Sequence, residues 1–178
     1  MSASPVLLHP DCKFFRGDIP CSPHKQYGVH CDGCTFYAPQ NKKILVIKLG
    51  AIGDVIRTTP LLHKIREEYP TAAVWWLTRS PEMVPSSVEK ILPFTLESIL
   101  LLQNTEFDIL LNLDKDPEAC ALAVQIDAHR KRGFILRDGK PAPVDHEAEH
   151  KYMTGLFDDL NKANTKSYPE EIFEICGW

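Results

Sequence analysis

Between Lys43 and Arg66 the chain reads K-I-L-V-I-K-L-G-A-I-G-D-V-I-R-T-T-P-L-L-H-K-I-R. Ile44–Leu49 is an apolar run interrupted only by Lys48. A run with so little polar alternation predicts a strand buried on both faces. It stops at Gly50. Gly50 and Gly53 bracket a tight loop, a place where glycine is the default residue, and a helical pattern follows. Strand, glycine loop and helix in that order open a doubly wound α/β domain, whose ligands sit at the carboxyl ends of the strands. Gly50–Asp54 is therefore where a site is expected.

The loop is neither of the common nucleotide motifs. No G-K-[ST] follows it, and its spacing is G-x-x-G-D rather than G-x-G-x-x-G. Asp54 is the informative residue. It falls at the start of the helix, where free N–H groups and the helix dipole favour negative charge. A bound phosphate would compete with that carboxylate for the same place. The loop thus reads as presenting a carboxylate rather than cradling a phosphate. Two roles stay open for Asp54: an N-cap, or a general base. A carboxylate, with an intrinsic pKa of about 3.9, can take a proton from a hydroxyl as the transition state develops.

The remaining α/β pattern is regular. Thr59 is expected to cap a further helix with Pro60 in its first position. Leu61, Leu62, Ile65 and Tyr69 form its apolar stripe, and Pro70 ends it. Strands are predicted over Ala73–Thr78, Ile91–Phe94 and Phe107–Leu113, and helices over Ser98–Gln103, Glu118–Ile126, His146–Leu160 and Tyr168–Cys176. Gly177 caps the last of these. Cys120 lies on a buried helix side, as a small core residue. Asp138–Val144 reads as a turn-rich loop. Arg79 and Ser80 fall at one strand's carboxyl end and Asp114-Lys115-Asp116 at another's, so both groups are candidates for a cleft rim; for the second, a solvated charge run is the other reading. His146 and His150 stand one turn apart, but no Glu-based hydrolase motif accompanies them.

Residues 1–41 differ in kind. They hold Cys12, Cys21, Cys31 and Cys34, spaced C-x8-C-x9-C-x2-C, with His9, His24 and His30 and many turn residues. The final C-D-G-C is a knuckle on which two thiolates can reach one ion. So short and loop-rich a segment buries little core, and a metal would supply its folding energy. Tetrahedral zinc on the four thiolates is the first reading. An iron–sulfur cluster uses the same ligands, and disulfides or free thiols complete the alternatives.

With 178 residues, 44% hydrophobic and 25% charged, the chain suits one globular domain, residues 42–178, with a small appendage. A net charge of −4 gives no reason to expect nucleic acid. The longest apolar stretches are too short to cross a bilayer. M-S-A-S-P-V-L-L-H-P lacks the charged start and apolar core of a signal peptide, so a cytoplasmic protein is the default expectation.

The long pattern from Lys43 through Thr59-Pro60, with Tyr69-Pro70 ending the next helix, resembles the opening of glycosyltransferase family nine, the bacterial heptosyltransferases of lipopolysaccharide core assembly. F-D-I-L-L-N-L-D, ending at Asp114, and Arg132-Gly133-Phe134 resemble two later strands of that family. The resemblance covers about residues 42 to 178, whereas the Cys-rich segment looks like an extension carried by a subset of members.

The resemblance implies a Rossmann-like three-layer domain of about five or six strands, the acceptor-side half of a two-domain GT-B enzyme. The expected reaction is inverting heptosyl or hexosyl transfer to a glycan or lipid-linked acceptor. It implies Asp54 as the base and Lys48 near the acceptor. Gly50, Ala51, Ile52 and Gly53 would bring backbone close to the acceptor, while Arg57 and Asp114 complete the expected acceptor site; Arg57 reads equally as a solvated helix residue. The donor, a nucleotide-sugar such as ADP-heptose, would be held mainly by a second α/β domain that this sequence lacks, and the chain alone is expected to be inactive. A metal in residues 1–41 would be structural. Lipid-anchored acceptors imply peripheral contact with the inner membrane. The rival readings are a non-catalytic, metal-stabilised Rossmann module that binds a glycan or protein, and a redox protein using the four cysteines.

Overall fold

The computed structural model describes residues 7–178; residues 1–6, on which part of the signal-peptide reading rests, lie outside the described residues. The chain divides into two compact units, Met1–Asn41 and Lys42–Trp178.

The larger unit is built on a six-stranded sheet. Its strands are β1 (Lys42–Ile47), β2 (Ala72–Thr78), β3 (Lys90–Pro93), β4 (Phe107–Asn112), β5 (Ala128–Arg137) and β6 (Lys140–Pro143), in the spatial order β3-β2-β1-β4-β5-β6. All neighbours pair in parallel except β5 and β6, which form an antiparallel edge. The chain leaves β1 toward β2 and β3, then returns to lay β4 on the other side of β1. Strand order therefore reverses between β1 and β4, and in open α/β sheets such a reversal opens a crevice at the carboxyl ends of the two strands.

β1 shows why the sheet is central. Ile44 and Val46 point into one apolar cluster, Leu45 and Ile47 into the other, and all four are at most 1% exposed. Burial on both faces is what an almost unbroken apolar strand requires. On one face pack α2 (Ile52–Thr58), α3 (Leu61–Glu68) and α8 (Tyr168–Cys176), through Val55, Leu61, Ile65, Ile172 and Ile175. The other face carries α4 (Leu96–Gln103) and most of the buried side of α5 (Pro117–Gln125), through Leu102, Ala119, Leu122 and Ala123. At β5, Gly133 has φ +91°, and a Cβ there would lie 1.8 Å from the Asn112 carbonyl oxygen, so only glycine fits.

Three sequence expectations are corrected. Residues 140–143 form the edge strand β6 rather than a loop. His146–Leu160 is not one helix but a 3₁₀ turn, His146–Ala148, followed by α6 (Glu149–Thr154) and α7 (Asp158–Ala163). Thr59 does not cap α3: the cap position is Pro60, and the Thr59 hydroxyl instead donates to the Ile56 carbonyl at 2.8 Å. By contrast, α8 begins with a capping box between Ser167 and Glu170 and ends at Gly177 with φ 81°.

The smaller unit has one short helix, α1 (Ser22–Tyr27), closed by Gly28 in the left-handed region. Its two ends are tied together by Lys13 N–H to the Ala38 carbonyl and Gln40 N–H to the Asp11 carbonyl, both at 2.8 Å.

Candidate functional site

The crevice between β1 and β4 is built from the residues that follow those strands. Lys48, only 4% exposed, sends its Nζ to Asp114 Oδ1 at 3.0 Å. The other Asp114 oxygen accepts from the backbone N–H groups of Leu49, at 2.6 Å, and Gly50, at 3.2 Å. One carboxylate beyond β4 thus holds both the lysine and the start of the glycine loop beyond β1. Asp114 is positioned in turn by Asn112. The Asn112 side-chain Oδ1 accepts the Asp114 N–H at 3.2 Å, while its Nδ2 donates to the Phe134 carbonyl at 2.7 Å.

Asp54 lies in the first turn of α2 but does not cap it. Ala51 occupies the cap position and no side chain bonds there. The Asp54 carboxylate turns the other way, with Oδ2 3.9 Å from Lys48 Nζ and Oδ1 accepting from Arg57 Nη2. Its side chain keeps 30% of its surface in contact with solvent, against 10% for Asp114. Arg57 lies over the Tyr168 ring at 4.1 Å. The Tyr168 hydroxyl is 3.5 Å from that of Thr58, and burial pushes its pKa up to about 12.

Neither Gly50 nor Gly53 takes the left-handed conformation, and a Cβ on either would meet nothing within 4 Å. The reading that the turn itself demands these glycines is therefore corrected. Their effect is to leave open space over the loop. Ala51, Ile52 and Gly53 are exposed beside Asp54.

Around this centre the structure sorts the remaining charged residues. Arg79 is engaged by Glu118 and lies 3.8 Å from Asp116, while Ser80 is buried. Burial, with Asp114 and Glu118 adding repulsion, raises the Asp116 pKa. Burial, followed by the neighbouring Lys151, lowers that of Lys115. Thr58 and Asn112 fall inside the quoted patterns but have no site role there, and Tyr168 lies in none; local sequence does not announce the place of the three beside Asp54 and Asp114. His146 is exposed next to Glu147, and His150 meets Asn164 at 3.2 Å; the two histidines share no site. Cys120 is a core residue whose thiol burial raises to about 11.

In the smaller unit Cys12, Cys21, Cys31 and Cys34 are free thiols that line one cavity of about 450 Å³. Among the described residues no group of three or more His, Cys, Asp or Glu side chains is placed to hold a single metal ion.

No family model matches the chain. Over 104 residues it is 31% identical to the lipopolysaccharide core heptosyltransferase OpsX of Haemophilus influenzae, an alignment covering 52% of this chain and 30% of that protein. The chain resembles the heptosyltransferases of glycosyltransferase family 9. It spans under a third of that relative's length. Among solved structures, a family 9 glycosyl transferase from Veillonella parvula aligns at 21% identity and TM-score 0.42, over 52% of this chain and 31% of that one. The Escherichia coli heptosyltransferase WaaC with ADP-2-deoxy-2-fluoro heptose aligns at 17% identity and TM-score 0.45, over 76% of this chain and 49% of that one. Among the described residues no helix is long and apolar enough to cross a membrane.

Proposed function

We propose that this chain supplies the acceptor side and the general base of an inverting glycosyl transfer. A heptosyl or hexosyl group moves from a nucleotide-sugar such as ADP-heptose to a lipopolysaccharide-type or other cell-envelope glycan. The observation that carries the reading is the partly exposed Asp54 carboxylate at the β1–β4 crevice, held between Lys48 and Arg57 beside a loop with open space above it.

In this reading the acceptor lies over Gly50–Gly53, close to backbone that no side chain covers at either glycine. Asp54 takes the proton of the attacking hydroxyl as the new bond forms to the anomeric carbon. The bond from that carbon to the diphosphate breaks on the opposite face, so the configuration inverts and the nucleoside diphosphate leaves with the electron pair. Lys48 and Arg57 orient the carboxylate, and the exposed Arg57 faces acidic groups of the acceptor. Asp114 acts through Lys48 and the loop rather than on the acceptor, because its oxygens are already occupied.

The donor belongs on a second α/β domain of the GT-B arrangement. Bringing donor, acceptor and base together supplies much of the rate. Lipid-anchored acceptors place the work at the cytoplasmic face of the inner membrane, by peripheral contact.

The test uses the complete gene product with ADP-heptose and nucleotide-hexose donors and a lipid-A-type acceptor. Asp54→Asn should lower the transfer rate about 10²- to 10⁴-fold, the usual contribution of a positioned base, with an unchanged circular dichroism spectrum. A variant that folds and retains most of the wild-type rate would show that Asp54 is not the base. Acceptor binding with no transfer by the wild-type product would favour a binding module instead.

A further inference from the structure

The smaller unit raises a question of stability that its own side chains do not answer. From residue 7 to residue 41 the sole buried residue is Pro23; the buried apolar core begins at Ile44. Units below about 40 residues generally need disulfides, a metal or oligomerisation to fold. Here the thiols are unpaired. What the unit does have is a cavity of about 450 Å³ onto which all four of its cysteines open, walled otherwise largely by apolar side chains such as Phe14, Phe15, Ile19 and Val29.

The geometry points to an iron–sulfur cluster held in this cavity by Cys12, Cys21, Cys31 and Cys34. Two observations separate it from a single ion. Tetrahedral zinc at about 2.3 Å from each sulfur draws four thiolates to within roughly 3.8 Å of one another. Among the described residues no three potential ligands are gathered to suit one ion, yet all four cysteines line one cavity. A cluster reverses this requirement: thiolates bind different irons around an inorganic sulfide core, so they surround a volume instead of meeting at a point.

The histidines are occupied in other ways. His24 Nδ1 lies 2.9 Å from the Val29 carbonyl, and the His24 and His30 rings pack edge to face at 5.2 Å. The His9 ring lies against Tyr37 at 4.5 Å. That leaves a four-thiolate set. The cluster would also tie the Cys12 turn, the start of α1 at Cys21 and the Cys31–Cys34 knuckle into one body, supplying the linkage that burial does not.

The whole chain would be purified anaerobically, before and after incubation with ferrous iron, sulfide and a thiol reductant. Iron, acid-labile sulfide and zinc would be measured alongside the visible spectrum. The expected result is a brown protein with equal amounts of iron and sulfide, whose broad visible absorbance bleaches on reduction with dithionite. Cys31→Ser and Cys34→Ser should lose most of the iron, while Cys120→Ala, outside the cavity, keeps it. A colourless protein carrying one zinc, a protein that takes up neither metal, or iron retained in full when both Cys31 and Cys34 are replaced would each overturn the assignment. The metal content of the unmutated chain decides the matter even if the serine variants fail to fold.

Discussion

Removing Asp114 should unfold the large unit far more easily than removing any other carboxylate near the crevice. In Asp114→Ala the buried Lys48 ammonium loses its partner at 3.0 Å, and only Asp54, at 3.9 Å, remains near it. Breaking a buried pair from one side costs about 3–5 kcal/mol. The Leu49 and Gly50 N–H groups also lose their acceptor, at about 1–3 kcal/mol for a group that water cannot reach. Gly50 is partly exposed and Asp54 offers some compensation, so a total of about 4 kcal/mol is expected. That is a large part of the 5–15 kcal/mol that typically separates folded from unfolded chains. At roughly 2–4 °C per kcal/mol for a chain of this size, the melting temperature should fall by about 8–16 °C. Urea unfolding followed by circular dichroism measures the change as a shift in midpoint at constant slope. Adding Lys48→Met should recover part of the loss, because the stranded charge is then gone. A cost below about 1 kcal/mol for Asp114→Ala, or a double variant as unstable as the sum of its singles, would refute the clamp.

Three further outcomes are expected. Gly133→Ala should cost several kcal/mol, since it combines a left-handed backbone with a 1.8 Å collision against the Asn112 carbonyl; a melting temperature within a degree or two of the wild type would contradict this. Gly53→Ala should stabilise α2 by about 0.4–1 kcal/mol, because the site accepts a Cβ without strain, and yet raise the KM for the acceptor if the open space above the loop is where it lies. The third concerns alkaline pH. Tyr168 titrates near 10.0 when unfolded and at about 12 when folded. The native state therefore holds its proton more tightly, and the resulting stability is present below pH 10 and lost as pH rises toward 12. Cys120 acts in the same sense between 9.0 and about 11, so the tyrosine's share is read as the difference between wild type and Tyr168→Phe, whose unfolding midpoint should depend less on pH in that window.

The strand, loop and helix at Lys42–Thr58 were legible because β1 is apolar on both faces and a glycine marks where it stops. β6 was not legible. Its K-P-A-P sequence contains two residues without N–H groups, which argue against a strand in general. Pro141 and Pro143 are tolerated because β6 is an edge that pairs only with β5, opposite Leu136 and Phe134. The helix expected over His146–Leu160 is broken at Gly155, which caps the C-terminus of α6; glycine is a poor residue for a helix interior. Asp54 as a cap was a sound inference from position, but its i+3 arginine and the buried Lys48 outcompete the free N–H groups of the helix end. The Lys48–Asp114 contact joins residues 66 apart in sequence. Both were visible at the ends of strands, whereas their adjacency depends on β4 returning to the far side of β1, which no local pattern encodes.

That adjacency divides the work among the three carboxylates of the crevice. Asp116 lies near Arg79, and its pKa is raised chiefly by burial. Asp114 makes one ammonium and two backbone contacts, so accepting a substrate proton would mean giving up bonds that hold the loop. Asp116 is the most exposed of the three, at 43% of its side chain, so what sets Asp54 apart is its place beside a loop clear of side chains at Gly50 and Gly53, with 30% of its own side chain open to solvent. Lys48 is shared between Asp114 and Asp54, so the buried carboxylate sets the position of the exposed one without touching an acceptor. Asp114→Asn, which keeps the side chain's shape but loses its charge, should then lower the rate mainly through kcat, with the acceptor KM little changed. A purely structural role would leave the rate per folded molecule as it was, and a direct acceptor contact would move KM.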